Sequence, residues 1–342
     1  MNALEGARLR SLLAELSGRR VVVMGDLVLD EFLIGRIDRI SREAPVLILE
    51  HERLLRTPGG GGNAVANVAA LGGAALPVGW VGDDEGGAAL LELLGARGVD
   101  TSGIVRVAGH ATPTKTRVLA GSSTSVQQQV VRVDRGVRGH LPEEARRRLQ
   151  DEMRDRLGSA AALLVSDYDH GTFDPSMRRA VAGWAERAAL PWTVDSRRHL
   201  REFRGMTAAT PNLEEAAGAL GEAIGDDSAE VARAAGALLE ALGAAHVVVT
   251  RGSRGMTLAS SGQAALHLPA FGSGEVADVT GAGDTVIAVL TLALAAGADI
   301  RAAAQLANVA AGLVVLKRGT ATVSPAEIEL ALAGAAGAED GR

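Results

Sequence analysis

Between Asp278 and Thr285 the chain reads Asp-Val-Thr-Gly-Ala-Gly-Asp-Thr, and an apolar stretch from Val286 to Ala296 follows directly. Gly281, Ala282 and Gly283 carry little or no side chain. Their backbone N–H groups can converge where the helix begins, and the helix dipole adds partial positive charge there. A pocket of donors like this suits the charge that develops on a phosphoryl group in transit. Asp284 falls in the first helical turn, placed to accept the proton of an attacking hydroxyl. The same residues also read as a tight turn whose aspartate caps a helix. A short glycine motif does not by itself separate the two.

Such a motif needs a scaffold that delivers it to an open edge. Val21 to Met24, Ala161 to Val165, Pro191 to Val194 and His246 to Thr250 are short apolar runs with the pattern of buried parallel strands. Pro142 to Leu157, Ser176 to Ala189 and Ser228 to Leu242 lie between them and have helical periodicity. That alternation predicts an α/β fold with helices on both faces of a mainly parallel sheet. Right-handed crossovers then gather the strand C-termini, and any ligand, along one edge. Two regions break the rhythm, residues 31–57 and 112–134. They are rich in β-branched and polar residues, and they predict a small discontinuous β lid inserted in a single domain spanning 1–342.

Composition narrows the function classes. The 342 residues include no cysteine, which excludes disulfides, thiolate catalysis and thiolate-bound zinc. The formal net charge is −6, which argues against a nucleic-acid or anionic-membrane partner. The first twenty residues pattern as an amphipathic helix and lack the apolar core of a signal peptide. The longest apolar stretch, Val286 to Ala298, is too short for a membrane span. The expectation is a soluble, cytoplasmic protein.

Three motifs in order raise the specificity of the reading. They are the glycine run Pro58 to Asn63 continuing to Asn67, then Thr210-Pro211-Asn212-Leu213-Glu214-Glu215, then Asp278 to Thr285. Together they resemble the signature set of the ribokinase-like (PfkB) carbohydrate kinases over about residues 19 to 330. The resemblance implies a three-layer ribokinase-like fold with a β-sheet lid, and ATP-dependent phosphorylation of a sugar hydroxyl. Within the family, the lid string Arg39-Ile40-Ser41 with Glu43-Ala44-Pro45-Val46 resembles the kinases of heptose 7-phosphate, which act at the anomeric position. So do Thr114 to Leu119, Ser166-Asp167-Tyr168 and Gly319 to Pro325.

The resemblance also assigns roles. Asp284 becomes the base, with Gly281, Ala282 and Gly283 as the anion hole. Asn212 and Glu215 resemble the family's phosphate and Mg²⁺ pair, with Glu215 acting through water; otherwise Glu215 is an exposed acid in a first helical turn. Thr250, Gly252 and Gly255 resemble the nucleotide-binding turn, and Asn308 occupies the position that meets the adenine region. Asp26, Asp30, Gly59, Gly60, Asn63 and Asp167 fall on the sugar side, where carboxylates and amides suit vicinal hydroxyls. Asp26 reads equally as a strand-end turn residue. Lys115 and Arg117 would meet a phosphate already on the acceptor, or else form a solvated strand face. Asp278, Thr280 and Ser324 match a monovalent-cation loop, which implies K⁺ activation. Open lid edges imply a homodimer formed through the lid.

The chain departs from the heptose kinases on the acceptor side: Asp195-Ser196-Arg197 replaces Asp-Pro-Lys, and the lid turn from Ala120 to Ser125 is enlarged. Another sugar or a nucleoside therefore stays open as acceptor. So does a silent sugar-binding homologue, although intact Asp284, Asn212 and Glu215 argue against it. A dinucleotide-binding dehydrogenase is disfavoured, because the glycine run at 59–62 lacks the preceding buried strand. The sequence stops at Arg342, and the expectation is that no fused nucleotidyltransferase follows.

Overall fold

Alternate residues of the first apolar run face opposite layers. Val21 and Val23 pack into one core and Val22 and Met24 into the other, as a strand buried on both faces requires. The computed structural model describes residues 3–121, 128–136, 141–272 and 276–337, so most of the enlarged lid turn lies outside the described residues.

The chain opens with α1 (Ala3–Glu15), β1 (Arg20–Gly25), β2 (Leu27–Ile40) and β3 (Leu47–Gly60). It continues through α2 (Gly61–Ala70), β4 (Ala74–Gly82), α3 (Glu85–Gly95), β5 (Ile104–Val107), β6 (Thr114–Ala120) and β7 (Gln128–Arg135). Next come α4 (Glu143–Leu157), β8 (Ala162–Asp167), α5 (Pro175–Ala188), β9 (Trp192–Ser196) and β10 (Ala208–Ala209). The last part holds α6 (Leu213–Leu220), α7 (Ser228–Leu242), β11 (His246–Thr250), β12 (Met256–Ser260) and β13 (Leu266–Leu268). It ends with α8 (Ala282–Ala295), α9 (Ile300–Val314) and α10 (Pro325–Gly337).

Among the described residues, nine strands form the central sheet in the order β13-β12-β11-β10-β9-β8-β1-β4-β5. Pairing is parallel from β11 to β5, and at the other edge β12 pairs antiparallel with both β11 and β13, so β12 alone runs against the other strands described. The expected fold class, a mainly parallel sheet between helical layers with a small β lid, is the observed one. The lid has the strand order β3-β2-β6-β7. Its strands β2 and β3 grow directly out of the core: Leu27 pairs with Gly60, and the ladder continues outward to Ile40 opposite Leu47.

Helix α8 is buried from Asp284 to Ala293. It is apolar on every side, as a helix enclosed by a sheet and two other helices must be. That enclosure fixes Asp284 with little freedom. Of the eight aromatic side chains, three tryptophans, Phe173 and Phe203 fill the second core layer. The remaining three, Phe32, Phe271 and Tyr168, each line a different cavity at the strand C-terminal edge. Among the described residues no helix is long and apolar enough to cross a membrane.

Candidate active site

Asp284 is only 2% exposed. Asn63 Nδ2 donates to its Oδ2 at 3.0 Å, and the Tyr168 hydroxyl donates to its Oδ1 at 2.7 Å. Behind Asn63 stands Asn67, whose amide donates to the Asn63 carbonyl at 2.9 Å, while the Thr285 hydroxyl donates to Asn67 Oδ1 at 3.2 Å. The glycine run thus opens α2, and α2 supplies two amides that hold the start of α8. Burial pushes the Asp284 carboxyl up to about 6, against the lowering effect of its two donors; nearby Asp30 adds to the rise and Lys115 opposes it.

Gly281 caps α8 with φ of 80°, and a Cβ there would lie 2.5 Å from Asn63 Nδ2. The first helical bond is Thr285 N–H to the Gly281 carbonyl at 3.1 Å. The Gly283 and Asp284 N–H groups precede it and are free of the helix's own ladder. Ala282 differs from the expectation: its N–H turns back to the Val279 carbonyl at 3.3 Å. The donors available to an anion are therefore those of Gly281, Gly283 and Asp284.

Three cavities meet around this turn. One of about 290 Å³ is lined by Asn212, Glu215, Asp195, Arg197, Gly281 and Gly283, among others. A second, of about 260 Å³, shares Thr250, Val279 and Gly283 with it and adds Gly252, Gly255, Phe271 and Asn308. Its apolar walls and its junction with the first suit a nucleoside whose phosphates reach into that one. Asn308 Nδ2 donates to the Pro269 carbonyl at 2.7 Å, which leaves the amide oxygen for a ligand. The third, about 680 Å³, lies between the lid and the loops at Asp278 and Gly319, and shares Arg117 and Thr280 with the first.

Asn212 and Glu215 form a reciprocal capping box at the start of α6, each backbone N–H bonded to the other's side chain at 2.9 Å. The first-turn reading of Glu215 thus holds, yet both residues still line the phosphate-sized cavity. Loss of hydration raises the Glu215 carboxyl above its usual range. Asp195, beside it, is raised much further by burial and by the charges of Glu215 and Asp284. Among the described residues no group of three or more His, Asp or Glu side chains could hold a metal by itself. A Mg²⁺ ion fits here as a companion of the nucleotide, held through phosphate oxygens and water.

On the acceptor side several expectations are revised. Asp26 is fully buried and its carboxylate accepts from the backbone N–H groups of Tyr168, His170 and Thr172 at 2.8 to 3.0 Å. It is a loop anchor, so the strand-end reading holds and a direct sugar contact does not. Asp30 pairs with Arg117 at 2.6 Å, so neither is free until a ligand displaces the other. Gly59 lies against that Asp30 carboxylate, and Gly60 against the Asp26 carbonyl. Lys115 is buried, its ammonium 4.8 Å from the centre of the Tyr168 ring; burial lowers it to about 8, with the Arg197 charge adding to the effect. Asp167 accepts from the Ser196 hydroxyl at 2.7 Å, and burial raises it to about 6, with Asp26 contributing. It braces β8 against β9 at the rim of the phosphate-sized cavity.

Asp278 accepts from the N–H groups of Thr280 and Gly319, both at 2.9 Å, which hold it below its ordinary range against the opposing effect of burial. This is the loop at which the sequence resemblance implies a monovalent cation. Ser324 fits less well, because its hydroxyl donates to Glu327 at 2.9 Å and accepts from the Glu327 N–H at 3.3 Å. Sequence reasoning missed Tyr168 and Arg197 as site residues. The signal was present: both follow core strands at the edge where ligands bind.

Residues 19–327 match the profile of the pfkB family carbohydrate kinases. Curated relatives include the bifunctional protein HldE of Geobacter sulfurreducens, 40% identical over 95% of this chain and 65% of its own length. HldE of Halorhodospira halophila is 46% identical over 92% and 64%. The chain thus spans just under two thirds of those relatives. Among solved structures, phosphofructokinase-2 from Escherichia coli in complex with potassium aligns at TM-score 0.75 and 20% identity, covering 93% of this chain and 99% of that one. Ribokinase of Arabidopsis thaliana, complexed with ribose and ATP, aligns at 0.70 and 20% over 92% and 99%. Those two establish the fold alone; the profile, spanning nearly all of the described chain and every motif at the cleft, establishes that the chain belongs to the pfkB family of carbohydrate kinases.

Proposed function

We propose that this kinase moves the γ-phosphoryl group of ATP onto a hydroxyl of a phosphorylated sugar, with heptose 7-phosphate at its anomeric hydroxyl as the first choice. The observation that carries the phosphoryl-transfer part is Asp284 beside the open first turn of α8. The nucleoside would lie in the Phe271 and Asn308 cavity, with its phosphates over Gly281 and Gly283. Asp284 would take the acceptor's proton while the N–H groups of that turn stabilise the transferring charge. Mg²⁺, when bound, would offset phosphate charge. Glu215 would hold it through water with the oxygen not used by Asn212.

A phosphate on the acceptor is supported by charge. Arg53, Arg117 and Arg318 all line the cavity under the lid. Guanidinium forks match phosphate oxygens bidentately. Heptose is favoured by the resemblance of the lid string at Arg39 to Val46. The test is an ATP-consumption screen with heptose 7-phosphate, unphosphorylated heptose, hexose phosphates and nucleosides. The phosphorylated heptose is expected to give the highest kcat/KM. Faster turnover of an unphosphorylated sugar or a nucleoside would overturn the acceptor assignment, and no turnover with any would favour a silent homologue.

Two further expectations accompany this reading. Because Asp284 must be ionised to act and is raised to about 6, kcat/KM falls about tenfold per pH unit below that value. Lys115, lowered to about 8, loses its charge above it, so the profile declines again on the alkaline side. A profile flat from pH 5 to 10 contradicts both. K⁺ would bind the loop at Asp278 and Thr280, and equal rates in K⁺-free and K⁺-containing buffer would remove it. The lid presents Leu54, Val131 and Val133 as exposed apolar residues. They alternate with lid residues that face the cavity, which supports a homodimer through the outer lid face.

A further inference from the structure

We infer that Tyr168 is a positioning residue for the base Asp284, and that buried Asp26 acts on catalysis by holding Tyr168 in place. The inference rests on the reading of Asp284 as the base. It gives work to a carboxylate that makes no contact with the cavity and to a tyrosine to which the sequence motifs assigned no role.

The tyrosine is fixed from three directions. Its backbone N–H is bonded to Asp26 Oδ2 at 2.8 Å, and the same carboxylate takes the N–H groups of His170 and Thr172. Asp169, between them, has φ of 62°, a left-handed conformation that non-glycine residues adopt at a cost. Without three N–H bonds to one buried anion, this loop would relax. The ring is held as well. The Arg197 guanidinium carbon lies 4.4 Å from its centre and the Lys115 ammonium 4.8 Å, both within the range of a cation–π contact. The hydroxyl at the ring's far end then has one place to point, Asp284 Oδ1 at 2.7 Å.

The consequence for Asp284 is a defined orientation. Asn63 holds one carboxylate oxygen and Tyr168 the other. Each oxygen keeps a second lone pair, and with the carboxylate plane fixed by two donors, the incoming hydroxyl meets a lone pair already aimed. A carboxylate held only by Asn63 could rotate about its terminal torsion, which is broad for aspartate. The charged groups that face Asp284 are Asp30, Lys115 and Asp195, with Arg197 beyond the tyrosine ring. None of them donates a hydrogen bond to Oδ1, so none replaces the phenol.

The sequence supplies an unusually clean test, because Tyr168 is the chain's only tyrosine. Growth on 3-fluorotyrosine labels this position alone and gives one ¹⁹F resonance. In the intact protein that resonance is expected to titrate with Asp284, near pH 6, and in Asp284→Asn that titration disappears. Independently, Tyr168→Phe is expected to lower kcat about tenfold, the scale of one hydrogen bond to a charged group. KM for ATP stays within about twofold, because the ring that lines the phosphate-sized cavity remains and the lost hydroxyl is the one turned to Asp284. The acid limb of kcat/KM moves upward, since a carboxylate that loses a donor becomes more basic. A merely structural tyrosine would leave that limb in place. A ¹⁹F titration near pH 6 whose amplitude is unchanged by Asp284→Asn, or a Tyr168→Phe enzyme with unchanged kcat and acid limb, overturns the inference. Should Tyr168→Phe fail to fold, the resonance decides alone. Full activity in Asp284→Asn would instead remove the base assignment on which the inference stands.

Discussion

Asp284→Asn lowers turnover by at least about a hundredfold, the lower end of what a positioned proton acceptor contributes, and it does so while making the folded protein more stable. The two effects have one cause. A carboxylate that is 2% exposed is costly to ionise, which is why burial lifts it to about 6. Its folded-state value lies above the unfolded one, so the ionised form opposes folding. That opposition is fully present above about pH 6 and vanishes below the ordinary aspartate range. At neutral pH the cost is on the order of 2–3 kcal/mol. Asparagine removes the charge and keeps the shape. Its oxygen can still accept from Asn63, and its amide can donate to the Tyr168 oxygen, so both contacts persist, although the Tyr168 hydroxyl proton must find another acceptor. The expected result is a dead enzyme whose Tm rises by about 2–5 °C at pH 7 and by much less at pH 4. Loss of activity with a fall in Tm would point to a damaged fold and leave the proton-acceptor role unsupported.

That trade between stability and chemistry separates what was legible in the sequence from what was not. The α8 motif was legible because its chemistry is made of backbone. Gly281 and Gly283 announce a turn, the apolar run after them announces an enclosed helix, and Asp284 can only fall in its first turn. The lid was legible for a similar reason: polar, β-branched stretches cannot continue a doubly buried parallel sheet. The strands β1, β8 and β9 were legible as apolar runs of strand length, and their ends located the ligand edge.

The roles of single polar residues were harder, because they depend on contacts between residues far apart in the chain. Asp26 and Asp30 look alike in the sequence, each an acid among apolar neighbours. One is claimed by three N–H groups of a loop 142 to 146 residues away, the other by an arginine on a different lid strand. No local pattern distinguishes them. Tyr168 was passed over for the opposite reason. In a chain with eight aromatics, one tyrosine after a buried strand is easily taken as core. Yet the five aromatics of the second core layer leave only Phe32, Phe271 and Tyr168 for the cleft, one in each cavity. Scarcity was the missed signal: where Ala, Val and Leu fill the interior, an aromatic at a strand's C-terminal end has been kept for something other than packing.

The nucleotide side offers the sharpest structural test, through Gly255→Ala. Gly255 has φ of 79° and ψ of −127°, and a Cβ there would sit 2.0 Å from the Leu268 carbonyl oxygen, 2.5 Å from the Ala270 nitrogen and 2.6 Å from the Pro269 carbonyl carbon. All three atoms are backbone, so no side chain can swing aside. Edge strand β13 must move off β12, and the Pro269 carbonyl that orients Asn308 moves with it. Phe271, on the same segment, lines the nucleoside cavity. The expected cost is about 2–4 kcal/mol of stability, with KM for ATP raised about tenfold and KM for the acceptor little changed. Gly252 is the control. It too has a left-handed φ, 57°, but nothing lies within 4 Å of its Cβ position, so Gly252→Ala pays only the backbone cost of about 1–2 kcal/mol. If the two substitutions prove equally mild, close approach of β13 is not what the glycine at 255 provides. If Gly255→Ala raises KM for the acceptor instead, the second cavity does not hold the nucleoside, and the direction of phosphoryl transfer across α8 has to be reversed.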